Sequence, residues 1–132
     1  MGCEIIQVKD KILALVVRSD FSQEGLTFFT PHDFPFQLGV HLRKKGENAQ
    51  AHKHVPFAEL NDIPAQEFFY VEKGKVTVGL YHNDKEHSRV EIGKGDMIVL
   101  NCAHDVVFAQ DTKMIEIKQG PYRGKDIEKK YL

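Results

Sequence analysis

Apolar and polar residues alternate along many short segments of this chain, and turn-forming residues separate the segments. A period of two residues predicts strands, because successive side chains of a strand point to opposite faces of the sheet. Strands are predicted at 4–8, 12–18, 26–30, 36–43, 49–54, 67–72, 75–81, 88–92, 97–100, 104–109 and 113–118. Only residues 125–131 have the pattern of a helix, a short one near the carboxyl end. Short strands with frequent turns indicate an all-β sandwich or barrel.

Length and composition are those of one ordinary domain. The chain has 132 residues, of which 42% are hydrophobic and 28% charged. A domain of that size can bury a core without disulfide staples. We therefore expect a single domain over residues 1–132.

Charge and cysteine usage narrow the range of partners. The net charge is −1 and the basic runs at 43–45 and 129–130 are short, so we expect neither nucleic acid nor a membrane surface as a partner. No apolar run is long enough for a membrane span, and the amino terminus lacks the pattern of a signal peptide. Two widely separated cysteines, Cys3 and Cys102, do not make a disulfide scaffold, which favours the reducing cytoplasm.

The segment His52-Lys53-His54 is the strongest chemical signal in the chain. On a strand, two histidines separated by one residue project from the same face, roughly 7 Å apart. With Glu67 and His104 they would form a mixed nitrogen and oxygen ligand set for a divalent transition metal, if all four converge. The alternative is that these histidines are satisfied core residues or exposed side chains on a polar strand face.

Glu67 and His104 each begin a predicted strand whose other residues on the same face are apolar. These neighbours are Phe69, Val71, Val106 and Phe108. Burying an unpaired ionisable group costs several kcal/mol. A bound cation would relieve that cost, and internal hydrogen bonds would do so less completely.

A spaced motif surrounds the first three of these residues. Gly46 precedes five residues and the pair His52 and His54, while Glu67 precedes six residues and Gly74. The motif therefore ends on a turn glycine directly after the strand that Glu67 opens.

A second motif surrounds His104. The glycine-containing turn at 93–96 leads through the strand at 97–100 to a second turn and then to His104. In this order the two motifs resemble those of the cupin superfamily, and the resemblance covers residues from about 36 to 118.

The resemblance implies a double-stranded β-helix, or jelly-roll barrel, with His52, His54, Glu67 and His104 as the metal ligands. Iron, manganese, nickel, zinc and copper all accept such a set. The resemblance further implies a metal-dependent enzyme that oxygenates or isomerises a small polar molecule, with a sugar-derived substrate favoured. Two alternatives stay open: a non-catalytic module that binds or senses a small ligand, and a metal-free sugar-nucleotide isomerase or epimerase.

The chain departs from the family pattern at several positions. The gap between His54 and Glu67 is longer than usual, and Glu59 stands at the usual spacing. We favour Glu67 because it opens a strand, and we interpret 55–66 as an insertion that forms either a lid or a dimer contact. Asn101 replaces a turn glycine, a substitution that its tolerance of positive φ would allow.

Further residues are candidates for substrate contacts. His41 and Arg43 share one face of a predicted strand, and Gln119 and Tyr122 follow the last strand. In the metal-free alternative, His41 and Tyr70 would act as acid and base. No catalytic residue is assigned beyond the candidates His41, Arg43 and Tyr70.

The predicted strand at 67–72 also suggests an oligomer. Phe68 and Tyr70 alternate with the residues expected to face inward, so they present an apolar outer face. Outer strands often associate in the family that this chain resembles. We therefore expect a homodimer.

Overall fold

The computed structural model of the protein describes residues 2–48, 50, 52–53, 65–119 and 130–132. Within these residues the chain forms strands and no helix. The strands are β1 (Cys3–Val8), β2 (Lys11–Val17), β3 (Gly25–Phe28), β4 (Gly39–Leu42), β5 (Glu67–Lys73), β6 (Lys75–His82), β7 (Lys85–Gly93), β8 (Met97–Leu100), β9 (His104–Phe108) and β10 (Lys113–Lys118). The all-β prediction is confirmed.

The strands form three antiparallel sheets. The largest has the order β1-β2-β8-β5-β10, the second has the order β7-β6-β9, and β3 pairs with β4. The hairpin between β6 and β7 turns at Asn83 and Asp84, whose φ angles of 52° and 63° are positive. Two central residues with positive φ make the kind of turn that matches the right-handed twist of paired strands.

The core lies between the two larger sheets, which pack face to face. Its buried residues are Leu13, Ala14, Val16, Phe69, Val71, Ile98 and Leu100 from the five-stranded sheet and Val76, Val78, Leu80 and Ile92 from the three-stranded sheet. Each large side chain among them contributes about 1.5–3 kcal/mol by leaving water. This burial fixes the relative position of β5 and β9, the strands that carry Glu67 and His104.

All but one of the predicted strands are present, some of them shorter or longer than predicted. The exception is the strand at 49–54: Gln50, His52 and Lys53 are described and lie outside any strand. This prediction is wrong for those residues. All three are exposed, so no burial favours a strand there. The Nδ1 atom of His52 lies 2.8 Å from the carbonyl oxygen of Gln50, a local bond that competes with strand pairing.

Two further predictions are a closed jelly-roll barrel and a helix at 125–131. Within the described residues none of the three sheets closes on itself, so what the structure shows is a set of packed antiparallel sheets. The predicted helix at 125–131 falls mostly outside the described residues, and its described part, 130–131, is not helical.

Candidate metal and acid–base site

Glu67 and His104 meet where the two larger sheets adjoin. Each is the first residue of its strand, β5 and β9 respectively. Glu67 Oε1 lies 3.2 Å from His104 Nε2, and both side chains are about four-fifths buried, with 19% and 20% of their surface exposed. Two residues far apart in the sequence are thus in direct contact, as the predicted ligand set requires of them.

The proton on His104 can be assigned from its other contact. Its Nδ1 lies 2.9 Å from the carbonyl oxygen of Cys102. A carbonyl oxygen only accepts hydrogen bonds, so Nδ1 must carry a hydrogen and donate it. In the neutral ring, Nε2 would then direct a lone pair at the Glu67 carboxylate. Two lone pairs repel at this distance, so the contact requires a cation between them, either a proton on Nε2 or a metal ion.

The spacing of the two atoms fits a metal ion. Ligand bonds of about 2.0–2.2 Å from nitrogen and from oxygen, set near a right angle, separate the two ligand atoms by about 3 Å. The Nδ1 donor of His104 is also typical of metal-bound histidine, in which the ring nitrogen that does not bind the metal usually donates to a carbonyl or carboxylate. Glu67 and His104 therefore fit as two adjacent ligands.

The same surroundings favour the protonated imidazole when no metal is bound. Burial alone would lower the pKa of His104. The hydrogen bonds to Glu67 and to the Cys102 carbonyl, with the negative charges of Glu67 and Glu116, outweigh burial and leave that pKa raised. The ring is also packed edge to face against Phe69, with ring centroids 6.1 Å apart.

Gln66 is a fully buried polar residue next to Glu67. Its Nε2 donates to Asn101 Oδ1 at 3.0 Å, and its Oε1 accepts from the backbone N–H of Phe36 at 3.1 Å. Its backbone N–H donates to Gln119 Oε1 at 2.8 Å. Asn101 in turn donates from Nδ2 to the carbonyl oxygen of Ile12 at 3.1 Å. Gln66 thus links its own segment to three others, through its side-chain amide to Phe36 and Asn101 and through its backbone N–H to Gln119.

This arrangement corrects the role predicted for Asn101. Asn101 is described, and it is not among the described residues with positive φ. Its backbone is not left-handed, and its side chain bonds to Gln66 and to the carbonyl oxygen of Ile12.

Glu67 and His104 open onto a cleft of about 810 Å³. Its described lining is Glu67, Phe69, Tyr81, Asp84, Cys102, Ala103, His104, Asp105, Val106, Glu116, Lys130, Tyr131 and Leu132. Glu116 is a lining residue that the sequence reasoning missed. It lies opposite Phe69 in the β5–β10 register. The alternation of β10 carried the signal, since Glu116 shares a face with Met114, which packs against the core.

An ion-pair network lies beside His104 on β9. Asp105 accepts two hydrogen bonds from Arg89, at 2.8 and 2.9 Å, and one from Tyr81 Oη at 2.6 Å. The hydrogen bonds from Arg89 and then Tyr81 lower the pKa of Asp105 to about 2. Gly79 lies between Asp105 and Arg89 in the register, and a Cβ there would lie 2.5 Å from Arg89 Nη2. The missing side chain lets the ion pair cross β6.

The other two predicted ligands are not placed with the pair. His52 is exposed, and His54 lies outside the described residues. Among the residues that the structure describes, no three histidine, cysteine, aspartate or glutamate side chains are grouped so that they could hold a metal ion. The set of four ligands therefore stays a prediction.

The candidates for substrate contact or catalysis on β4 and β5, and Arg43 just after β4, lie away from the described lining of the cleft. His41 is on β4 and exposed, and its Nδ1 accepts a hydrogen bond from Arg43 Nε at 3.3 Å. Tyr70 lies on the face of β5 opposite Glu67, beside Met97 and Ile115. None of these residues is in the described lining.

The alternation predictions can be compared with burial. Phe69 and Val71 are buried on the face of Glu67, as predicted. Val106 packs against the core on the face of His104, but Phe108 is 59% exposed, so its predicted burial is wrong. Phe108 is the last residue of β9, an edge strand that pairs only with β6 among the described strands.

Two predictions concern segments that the structure covers only in part. Glu59 and Tyr122 lie outside the described residues, as does 55–64 of the predicted insertion. Gln119 binds Gln66 and is not in the described lining of the cleft.

A comparison with known proteins finds no matching family model, curated protein or solved structure. Within the described residues, no helix has the length and apolar character needed to cross a bilayer.

Proposed function

We propose that the protein is a metal-dependent enzyme of the cupin type, in which Glu67 and His104 hold a divalent transition metal and His52 and His54 complete its ligands. The observation that supports this most is the Glu67–His104 contact, with Nδ1 of the histidine committed to a carbonyl. A proton or a metal ion shared by the two facing atoms would make this contact favourable. The proposal includes the jelly-roll architecture that the two sequence motifs favour.

The described residues divide the work at such a site. When bound, the metal would act as a Lewis acid toward substrate oxygens. Phe69 and the carbonyl of Cys102 hold the His104 ring in one orientation. Glu116 is an exposed carboxylate on the same cleft and can accept a proton or a hydroxyl hydrogen from a bound molecule.

The charges of the cleft favour an uncharged polar substrate. Of the charged side chains in its described lining, four are carboxylates and one, Lys130, is cationic, apart from His104. Phosphate binding usually relies on arginine, lysine or helix amino termini. This balance disfavours a sugar nucleotide and is compatible with a free sugar or another polyol.

Metal analysis tests the proposal. Protein purified without a histidine tag or chelator should carry stoichiometric metal, and Glu67→Gln and His104→Gln should each lose most of it. Matched controls are Glu91→Gln and His87→Gln, exposed residues of β7 outside the described cleft lining. His52→Ala and His54→Ala test the other two ligands.

Two results would contradict the proposal: a wild-type protein that binds none of the candidate metals, or full metal retention in both Glu67→Gln and His104→Gln. Because ligating imidazoles must be neutral, metal should also be released as the pH falls below about 6. Metal content that is constant down to about pH 4 would count against the histidine ligands.

A second candidate function follows from the same contact. If the cation between Glu67 and His104 is a proton, the pair is an acid–base dyad, and the enzyme would isomerise or epimerise its substrate without metal. The raised pKa of His104 supports this candidate. Activity that survives exhaustive chelation but is lost in His104→Gln would favour it over the metal enzyme.

We also propose a cytoplasmic homodimer. Both cysteines are free thiols, which suits a reducing compartment. On the outer face of β5 and β10, Phe68 lies opposite Ile117 in the register, and Ile117 is 53% exposed. An apolar surface of this kind suits contact with a second subunit.

A further inference from the structure

The Gln66 amide lies where both halves of the candidate site begin. Gln66 directly precedes Glu67, the first residue of β5. Asn101 lies three residues before His104, the first residue of β9. The hydrogen bond between the two side chains therefore ties the start of β5 to the turn that leads into β9. Backbone pairing of β5 with β8 ends at the same place, with Glu67 opposite Leu100.

No other described polar side chain is as deeply buried as that of Gln66. Its exposure is 0%, and the only other buried polar residue of the described chain is Thr30, at 7%. Burying an amide is favourable only if its donors and acceptors are satisfied, and an apolar residue of similar size would avoid the requirement. The side-chain amide has partners on two other segments, those of Phe36 and Asn101, and the backbone N–H of Gln66 has a third in Gln119.

A buried amide with a hydrogen-bond partner at both its nitrogen and its oxygen favours one geometry, whereas an apolar contact tolerates small shifts. The distance between Glu67 Oε1 and His104 Nε2 depends on the relative position of two strands from different sheets. Backbone pairing within either sheet does not set that distance. The Gln66–Asn101 bond constrains the distance between Glu67 Oε1 and His104 Nε2, because it joins the residue before β5 to the turn that precedes β9.

We propose that Gln66 is a positioning residue, which holds Glu67 at bonding distance from His104 through its buried link to Asn101. It does not touch a ligand in the cleft, since it is absent from the described lining. The positioning role rests on the proposed function only where metal affinity is measured, because the Glu67–His104 contact can also be observed in metal-free protein.

Gln66→Leu tests the proposal, because leucine has nearly the same size and no hydrogen-bonding groups. The matched control is Thr112→Val at the opposite end of β5, which removes a hydroxyl bonded to the backbone of Lys75 and Gln110. Both variants lose buried or half-buried hydrogen bonds, but only Gln66→Leu lies next to the site.

Two readouts separate positioning from general stability. Imidazole nitrogen resonances of His104 in metal-free protein should move in Gln66→Leu and not in Thr112→Val, since the Nε2 contact with Glu67 weakens. Metal affinity should fall by about 10- to 100-fold in Gln66→Leu, the usual effect of losing support behind a ligand. It should be unchanged in Thr112→Val.

The outcomes are distinct. If wild-type protein binds no metal but the His104 resonances move as expected, the positioning role holds and the proposed function fails. If folded Gln66→Leu keeps wild-type His104 resonances and metal affinity, the positioning role is overturned. Should Gln66→Leu not fold, Asn101→Ala removes the same link while sparing the Gln66 bond to Phe36, and the same readouts decide.

Discussion

Gly74 offers a sharp test of the fold, because a second glycine with the same backbone conformation serves as its control. Gly74 joins β5 to β6 at a φ of +96°, and Gly46 has a φ of +95°. A Cβ added at Gly46 would meet nothing within 4 Å. A Cβ added at Gly74 would lie 2.5 Å from Thr112 Oγ1 and would also overlap the backbone carbonyl of Asp111.

The magnitudes follow from this difference. In both Gly46→Ala and Gly74→Ala, a residue with a Cβ must adopt positive φ, at a cost of about 1–2 kcal/mol. Only Gly74→Ala adds the overlap with the turn before β10, which raises the expected loss of stability to about 3–5 kcal/mol. A domain of this size loses about 3–4 °C of Tm per kcal/mol. We therefore expect decreases of about 4–7 °C for Gly46→Ala and about 10–18 °C for Gly74→Ala.

Urea and thermal unfolding followed by circular dichroism measure both losses. Gly74 lies at the opposite end of β5 from Glu67, so metal content per folded chain should match wild type in Gly74→Ala. Equal Tm decreases in the two variants would show that the turn at Gly74 is not packed against Asp111 and Thr112, and the β5–β6 connection described above would be wrong.

Three further predictions follow from the site and the outer face. In metal-free protein the folded pKa of His104 is raised, so the stability it contributes is fully present below its unfolded pKa of about 6.5 and is lost as pH rises through the folded value. The stability of wild type relative to His104→Gln should therefore fall as the pH rises above about 6.5, and a pH-independent difference would exclude the ion pair. In the Cys3→Ser background, cationic methanethiosulfonates should modify Cys102 in the cleft faster than anionic ones. Glu116→Gln should reduce that preference about fivefold. An unchanged preference would show that Glu116 does not face the cleft. Wild-type protein should have the mass of a dimer by light scattering at micromolar concentration, and Ile117→Lys should have that of a monomer; a monomeric wild type would refute the dimer.

Local patterns predicted most of the strands because each strand depends on residues close together in the sequence. The segments 97–100 and 113–118 were predicted with the bounds that β8 and β10 have. The strand predicted at 49–54 is wrong for its described residues, because alternation by itself does not bury a segment and Gln50, His52 and Lys53 are exposed. The pairing order of the strands does not follow from local pattern, since β5 lies between β8 and β10, its neighbours only in the folded chain.

Some residues of the candidate site could likewise be found from the sequence, and others could not. Residue type and position on a strand identified Glu67 and His104, and the structure brings them into contact. Glu116 and Gln66 were missed. The alternation of β10 places Glu116 on the face of Met114, but that Glu116 and Gln66 lie beside the site is known only once their neighbours from other segments are known.

The amino-acid sequence by itself determined the all-β class and the approximate limits of most strands, and it singled out Glu67 and His104, which contact each other in the structure. These depend on period-two alternation and on residue chemistry, both of which are local. Only the tertiary structure decided that buried Gln66 bonds to the segments of Phe36, Asn101 and Gln119, and that His104 Nε2 faces the carboxylate of Glu67. These partners lie far apart in the sequence, and which of them meet is set by packing the whole core.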